Sequence, residues 1–317
     1  MGRNAKLKQA RRDGTAASVP NPRPGGVFIP EDWAQQLDWV INQAGMSTIA
    51  CAVRVLTGDC ADTVEAFGSA IEDARNHPRF KAELDALAAS APGMQLACRR
   101  GCTHCCFQDV NVTILDLFLL CREIHSQGRA EEVAAACEAI EALRSKERIA
   151  LVQKVSSRMD TAPCPLLDTA TGSCSVYASR PSLCRGHASN SLASCKAWAK
   201  DSTQPIWQNL GLRMPHTHQL SATEQAIELL GCETAWTSLN HALPTALRQP
   251  ERFERWWAGE KGVWDDVLLP ADQYDISPEE VKARMAEALQ LQVPSALEPQ
   301  LRARQARRDD LLLALGA

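Results

Sequence analysis

Nine residues set the strongest constraint in this chain: Cys98-Arg-Arg-Gly-Cys102-Thr-His-Cys105-Cys106. Four thiols so close together cannot all be buried in the stripe of one helix. They belong on a loop that can wrap a small centre, and Gly101 supplies the freedom such a wrap needs. The chain holds 13 cysteines in 317 residues. Its opening, Met1 to Arg12, is basic with no apolar stretch behind it, so no secretory signal is read there. A cytoplasmic address follows as an expectation. In that compartment thiols stay reduced, and clustered cysteines point to metal or redox chemistry rather than to structural disulfides.

A second group follows downstream. Cys164, Cys174 and Cys184 are spaced by ten in Ser-, Pro- and Gly-containing sequence, and Cys195 comes after them. The candidate metal ligands are therefore Cys98, Cys102, Cys105, Cys106, Cys164, Cys174, Cys184 and Cys195. Thiolates bind Zn²⁺ in tetrahedral sets and also hold iron–sulfur clusters, so the cofactor is zinc or an iron–sulfur cluster. Neighbouring Cys105 and Cys106 are expected to point different ways, leaving one for another metal or as a free thiol. Arg99, Arg100, Arg180 and Arg185 flank the cysteines and can offset thiolate charge. Cys121 and Cys137 fall on apolar helical stripes and read as packing residues, as do Cys51, Cys60 and Cys232. His104 and His187 lie beside the cysteines but read first as packed or solvated. His216-Thr-His218, placed in a loop after Pro215, is a poor metal signal. Trp256, Trp257 and Trp264 read as a packing cluster, and Asp265-Asp266 is too short a carboxylate pair for a catalytic claim.

The remaining sequence is helical in character. Pro30, Glu31 and Asp32 open a helix with Trp33, Leu37, Val40, Ile41 and Ala44 on one face. More helix is expected at 60–76, 79–90 and 129–158, after the capping-box-like Thr113-Ile-Leu-Asp116, and in a terminal helix at 297–315. Ser221-Ala-Thr-Glu224 and Ser277-Pro-Glu-Glu280 read as two further helix starts. Strand signals are weak. Four regions are expected: a disordered basic, Pro- and Gly-rich tail at 1–30, a helical region at 31–93, a cysteine-cluster metal-binding domain at 94–200, and a helical region at 201–317. The fold class is mainly α, with helices around cysteine-rich, metal-stapled loops. Net charge is −4, hydrophobic residues are 45% and charged residues 23%. No apolar run is long enough for a membrane span, and no strong field invites nucleic acid.

The order Cys98-Arg-Arg-Gly-Cys102-Thr-His-Cys105-Cys106, Val112-Thr-Ile-Leu-Asp116, Cys164-Pro-Leu-Leu, Cys174-Ser-Val-Tyr177 and Arg180-Pro-Ser-Leu-Cys184-Arg185 resembles the zinc- or iron-chelating cysteine-cluster family of the YkgJ type. The resemblance covers about residues 94–195 and implies metal chelation by the cysteines. A similar cluster occurs in flagellin lysine N-methylases, where an iron–sulfur centre is expected; nothing else here aligns with a methylase. Cys98-x3-Cys102-x2-Cys105 also has the spacing of radical S-adenosylmethionine enzymes. That motif needs a strand before it and β/α alternation after it. This chain offers neither, and His104 stands where that motif usually carries an aromatic residue. The expected role is a cytosolic protein chelating zinc or an iron–sulfur cluster. The alternative is an iron–sulfur-dependent redox or group-transfer enzyme. The expected partner is the metal ion or cluster, with no membrane and no nucleic acid, and any protein partner is left open.

Overall fold

The computed structural model describes residues 31–90, 96–99, 101–108, 110–146, 162–200, 204, 206–268 and 298–315. The expected tail at 1–30, the helix break at Pro92-Gly93, Arg100, the far half of the 129–158 helix and the helix start at Ser277 lie outside these residues. The described part is mainly helical. In chain order it contains α1 (Glu31–Thr57), α2 (Val64–Asn76), α3 (Pro78–Ser90), β1 (Asn111–Thr113), α4 (Ile114–Ser126) and α5 (Ala130–Lys146). A hairpin of β2 (Leu167–Asp168) and β3 (Ser173–Cys174) follows, then α6 (Ser182–Gly186), α7 (Leu192–Lys200) and α8 (Leu210–Leu229). The last elements are β4 (Trp236–Ser238), α9 (Leu239–Arg248), α10 (Glu251–Trp257) and α11 (Glu298–Leu315). Among the described residues the only sheets are two-stranded, β1 with β4 and β2 with β3. The described residues show no β/α alternation.

The core lies where the helices cross. α8 packs along α1, and α9 packs on α5 and α4. Phe67, Ile71, Leu115, Leu117, Leu120, Ile124, Ala242, Leu243 and Trp256 are all fully buried. β1 pairs antiparallel with β4, Asn111 opposite Ser238 and Thr113 opposite Trp236. Each of these short strands leads straight into a helix, so the pairing fixes α4 and α9 relative to one another. Thr113 caps α4, its Oγ1 accepting the Asp116 N–H at 3.1 Å, as the sequence predicts. Thr63 does the same for α2. Trp256, Trp257 and Trp264 pack in the core with Phe67 and Phe253. α11 docks through Arg304, which bonds to Asp62 and to the Leu230 carbonyl.

Two expectations are overturned by one helix. Ser221-Ala-Thr-Glu224 does not start a helix, and His216-Thr-His218 is not in a loop. Both lie inside α8, which begins eleven residues before Ser221, at an Asn209 cap whose Oδ1 accepts the Leu212 N–H at 3.1 Å. Pro215 is tolerated inside this helix, where it removes one backbone hydrogen bond. Ser221 and Thr223 turn their hydroxyls back to the carbonyls of Thr217 and Gln219. Their cap-forming chemistry is thus used mid-helix. Burial along α8 overrides the local start signal.

Candidate metal centre

The first cysteine loop is shaped by its glycine. Gly101 has φ +83°, and the Cys102 N–H returns to the Arg99 carbonyl at 2.9 Å. A 3₁₀ turn, His104–Phe107, carries the next two thiols. Cys106 acts directly on the Cys105 thiol, so the two neighbouring side chains lie near each other.

The second cysteine loop folds onto the first. The Cys164 N–H donates to the Cys106 carbonyl at 2.6 Å. Gly172, at φ +65°, passes so close that a Cβ on it would lie 3.1 Å from the Gly101 Cα. Cys174 follows in β3, paired across to Leu167. Cys184 sits in α6. Cys195 is buried in α7, which packs against the 3₁₀ turn of Cys105 and Cys106. At the outer edge the Ser189 N–H donates to the Cys98 sulfur at 3.2 Å. The structure therefore gathers into one neighbourhood two loops that the sequence separates by more than fifty residues.

The thiols sense each other. Burial pushes Cys98 up; the Ser189 N–H opposes this, and Cys102, Cys105 and Cys195 reinforce it. Cys106 and then burial push Cys105 far up. Burial, reinforced by Cys105 and Cys174, pushes Cys184 up to about 12. Burial also raises Cys174. Arg180 acts against these shifts at Cys105, Cys174 and Cys184. Its guanidinium lies 3.9 Å over the Tyr177 ring. Of the other expected cations, Arg99 is exposed, while Arg185 is tied to the Arg180 carbonyl, Asn76 and the Ala178 carbonyl. His187 is kept neutral by burial and contacts Gln208 at 3.4 Å. Among the described residues, no three His, Cys, Asp or Glu side chains are drawn close enough to hold an ion as they stand.

An all-sulfur donor set, drawn from two loops and faced by a guanidinium, fits zinc or an iron–sulfur cluster. Burial disfavours the thiolate at Cys98, Cys105, Cys174 and Cys184, so metal entry there must displace protons before the sulfurs can close in. The core cysteines are placed as expected: Cys51, Cys121, Cys137 and Cys232 are buried in the main core, and Cys60 packs against it. Two residues beside the site are not candidate site residues in the sequence. Arg75 and Asp116 form an ion pair at 2.9 Å with both side chains 1% exposed, and Ser182 of α6 lies 3.4 Å from the same carboxylate oxygen. Arg75 sits in a segment that reads as an ordinary amphipathic helix, and Asp116 reads as a helix-start residue at the end of one motif of the resemblance.

A family model, CxxCxxCC, with the description "Putative zinc- or iron-chelating domain", matches residues 97–205, about a third of the chain. The segment contains all eight candidate ligands. It is a match to the cysteine-cluster family that the sequence resembles. The first spacing here is one residue longer than the model's name spells, and the loop that contains it turns through Gly101 at positive φ. No curated protein and no solved structure matches the chain.

Proposed function

We propose that the chain binds zinc or an iron–sulfur cluster in a centre built from Cys98, Cys102, Cys105, Cys106, Cys164, Cys174, Cys184 and Cys195, in a domain spanning about 94–200. The observation that carries this reading is the docking of the two loops, through the Cys164–Cys106 backbone bond and the Gly101–Gly172 contact. Metal bound there would be held by thiolates. Arg180 would offset their charge, and the Ser189 N–H would donate to the outermost sulfur, the usual support given to ligated sulfur. A closed four-thiolate zinc site would make the domain a structural or metal-handling module. An iron–sulfur centre with an open position would instead supply redox or group-transfer chemistry, the second reading.

Metal and acid-labile sulfide per chain, measured on protein purified without oxygen, separate these outcomes. Equal iron and sulfide, with a brown colour, mark a cluster; colourless protein with zinc marks the closed site. Stripping the metal with a strong chelator should lower the melting temperature and open residues 162–191 to protease. Protein isolated with neither metal, and unable to take either up, would end the proposal.

A further inference from the structure

On the core side of the cysteine loops lies a charged cluster of which thiolate chelation uses only Arg180. Arg75 spends Nη1 on Asp116. Its Nε and Nη2 are buried and have no hydrogen-bond partner. These two N–H groups form the side-on edge of the guanidinium, the edge that grips two oxygens of a carboxylate or phosphate at once. The Arg180 Nε and the His216 Nδ1 are also buried without a hydrogen bond, and Gln219, one turn along α8, acts on the His216 ring. His216 comes from α8 and closes against α6: a Cβ on Gly186 would lie 3.2 Å from the His216 Cβ. Arg75 and Arg180 both act on Arg185, and all three act on His216. Burial first, and then those three cations, push the His216 ring down to about 3, so it stays neutral.

The negative charge available to this cluster is small. Asp116 is its buried carboxylate. Glu72 also acts on Arg185, but it is engaged by Arg122 and by the Ser179 hydroxyl. The bonds Arg185 makes go to neutral oxygens. Buried charge is ordinarily paired. A water molecule could satisfy the open N–H groups but would leave the excess charge unbalanced. A thiolate centre accounts for Arg180, whose charge reaches Cys105, Cys174 and Cys184. It does not account for the open edge of Arg75, which already has Asp116 as a partner.

We propose that this cluster binds an oxyanion group, carboxylate or phosphate, of a small ligand, with the Arg75 Nε–Nη2 edge as the clamp and Arg180 and His216 as further donors. The chelation reading enters only in placing the ligand beside a metal centre. The test uses full-length, metal-loaded protein and two probes, inorganic phosphate and acetate, followed by calorimetry and melting temperature at constant ionic strength. The expected result is saturable binding of one probe at one site per chain; the probe that binds identifies the oxyanion. Arg75→Lys keeps the charge and the Asp116 pair but loses the planar fork. It should weaken binding at least tenfold with metal content unchanged. The charge-neutral double variant Arg75→Gln/Asp116→Asn should do the same. Arg79→Gln, an exposed arginine on α3, should bind as the parent does. If the double variant does not fold, Arg75→Lys decides. The proposal is overturned if neither probe saturates, if affinity survives Arg75→Lys, or if binding occurs only in metal-free protein and vanishes on loading. That last outcome would assign the guanidiniums to the thiolate centre. Metal per chain in the parent protein tests chelation separately.

Discussion

The helical body and the cysteine loops use the same side chain in opposite ways. In the body, Cys121 of α4 and Cys137 of α5 are fully enclosed and act on each other across the helix pair. Cys51 points its thiol back to the Ser47 carbonyl of its own helix. Each fills space as a small hydrophobe would. In the loops the thiols are mostly half-buried. Their neighbours are other thiols, backbone N–H groups and a guanidinium. Burial raises the thiol pKa in both regions, so a raised pKa does not distinguish them. Thiol and guanidinium neighbours do not distinguish them either, since Cys121 faces Cys137 and Cys51 faces Cys60 and Arg54. What separates a packing cysteine from a candidate ligand is backbone shape, a regular helical stripe in one case and two glycine-turned, mutually docked loops in the other.

The comparison is broken most directly by exchanging sulfur for oxygen in one region and for hydrogen in the other. Cys102→Ser or Cys105→Ser removes a thiolate from the tight loop and should abolish most metal binding. Cys121→Ala or Cys137→Ala should keep full metal content and cost about 1–2 kcal/mol of packing. The action of Cys106 on Cys105 makes Cys106→Ser the informative intermediate. It loses metal if both sulfurs ligate and retains it if one is spare. Metal per chain and urea midpoints, measured anaerobically across the series, give the answer. Loss of metal in Cys121→Ala together with retention in Cys102→Ser would invert the assignment.

The two regions are joined at Asp116. Its carboxylate pairs with Arg75 in the helical body and lies within 3.4 Å of the Ser182 hydroxyl of α6, the short helix that also carries Cys184. Removing it leaves the Arg75 guanidinium buried without a counter-charge. Loss of one partner from a buried pair typically costs about 3–5 kcal/mol. Asp116→Ala should therefore destabilise the metal-loaded protein by that amount, read as a shift in urea midpoint at unchanged slope. Asp116→Asn, which keeps an acceptor for Arg75, should cost less. A loss under about 1 kcal/mol for Asp116→Ala would mean that the joint is solvated and the two regions are independent.

How much of this was legible beforehand also divides along the same line. The packing cysteines were readable because helical periodicity is local: Cys121 and Cys137 fall in register with Ile124 and Val133, which are themselves buried. The cysteine loops were readable as a set because four thiols in nine residues admit few alternatives. The loop docking was not, because a contact such as Cys164 N–H to the Cys106 carbonyl joins residues 58 positions apart and leaves no periodic trace. The same holds for Arg75 and Asp116, which are 41 residues apart. α8 failed for another reason. Its proline and its Ser-x-x-Glu signal both speak for a boundary, and long-range packing on α1 decided against them.

The smallest effect should appear in alkaline solution. Once metal is bound, ligand sulfurs are already deprotonated and have no proton left to lose, whereas a core thiol still has one. Burial raises Cys51 from the ordinary value near 9 to about 11; Arg54 opposes the shift, and Cys60 and Asp73 reinforce it. The folded chain thus holds this proton more tightly than the unfolded chain does. Its contribution to stability is complete below pH 9 and is lost as pH rises through about 11. By pH 10 the loss amounts to about 1 kcal/mol. Cys51→Ala removes that thiol, so its stability should fall less steeply between pH 8 and pH 10 than that of the parent, both metal-loaded. Denaturation by urea at the two pH values measures the difference. An identical slope in the two proteins would mean that the Cys51 thiol does not respond to its burial, and that its place in the core is shape alone.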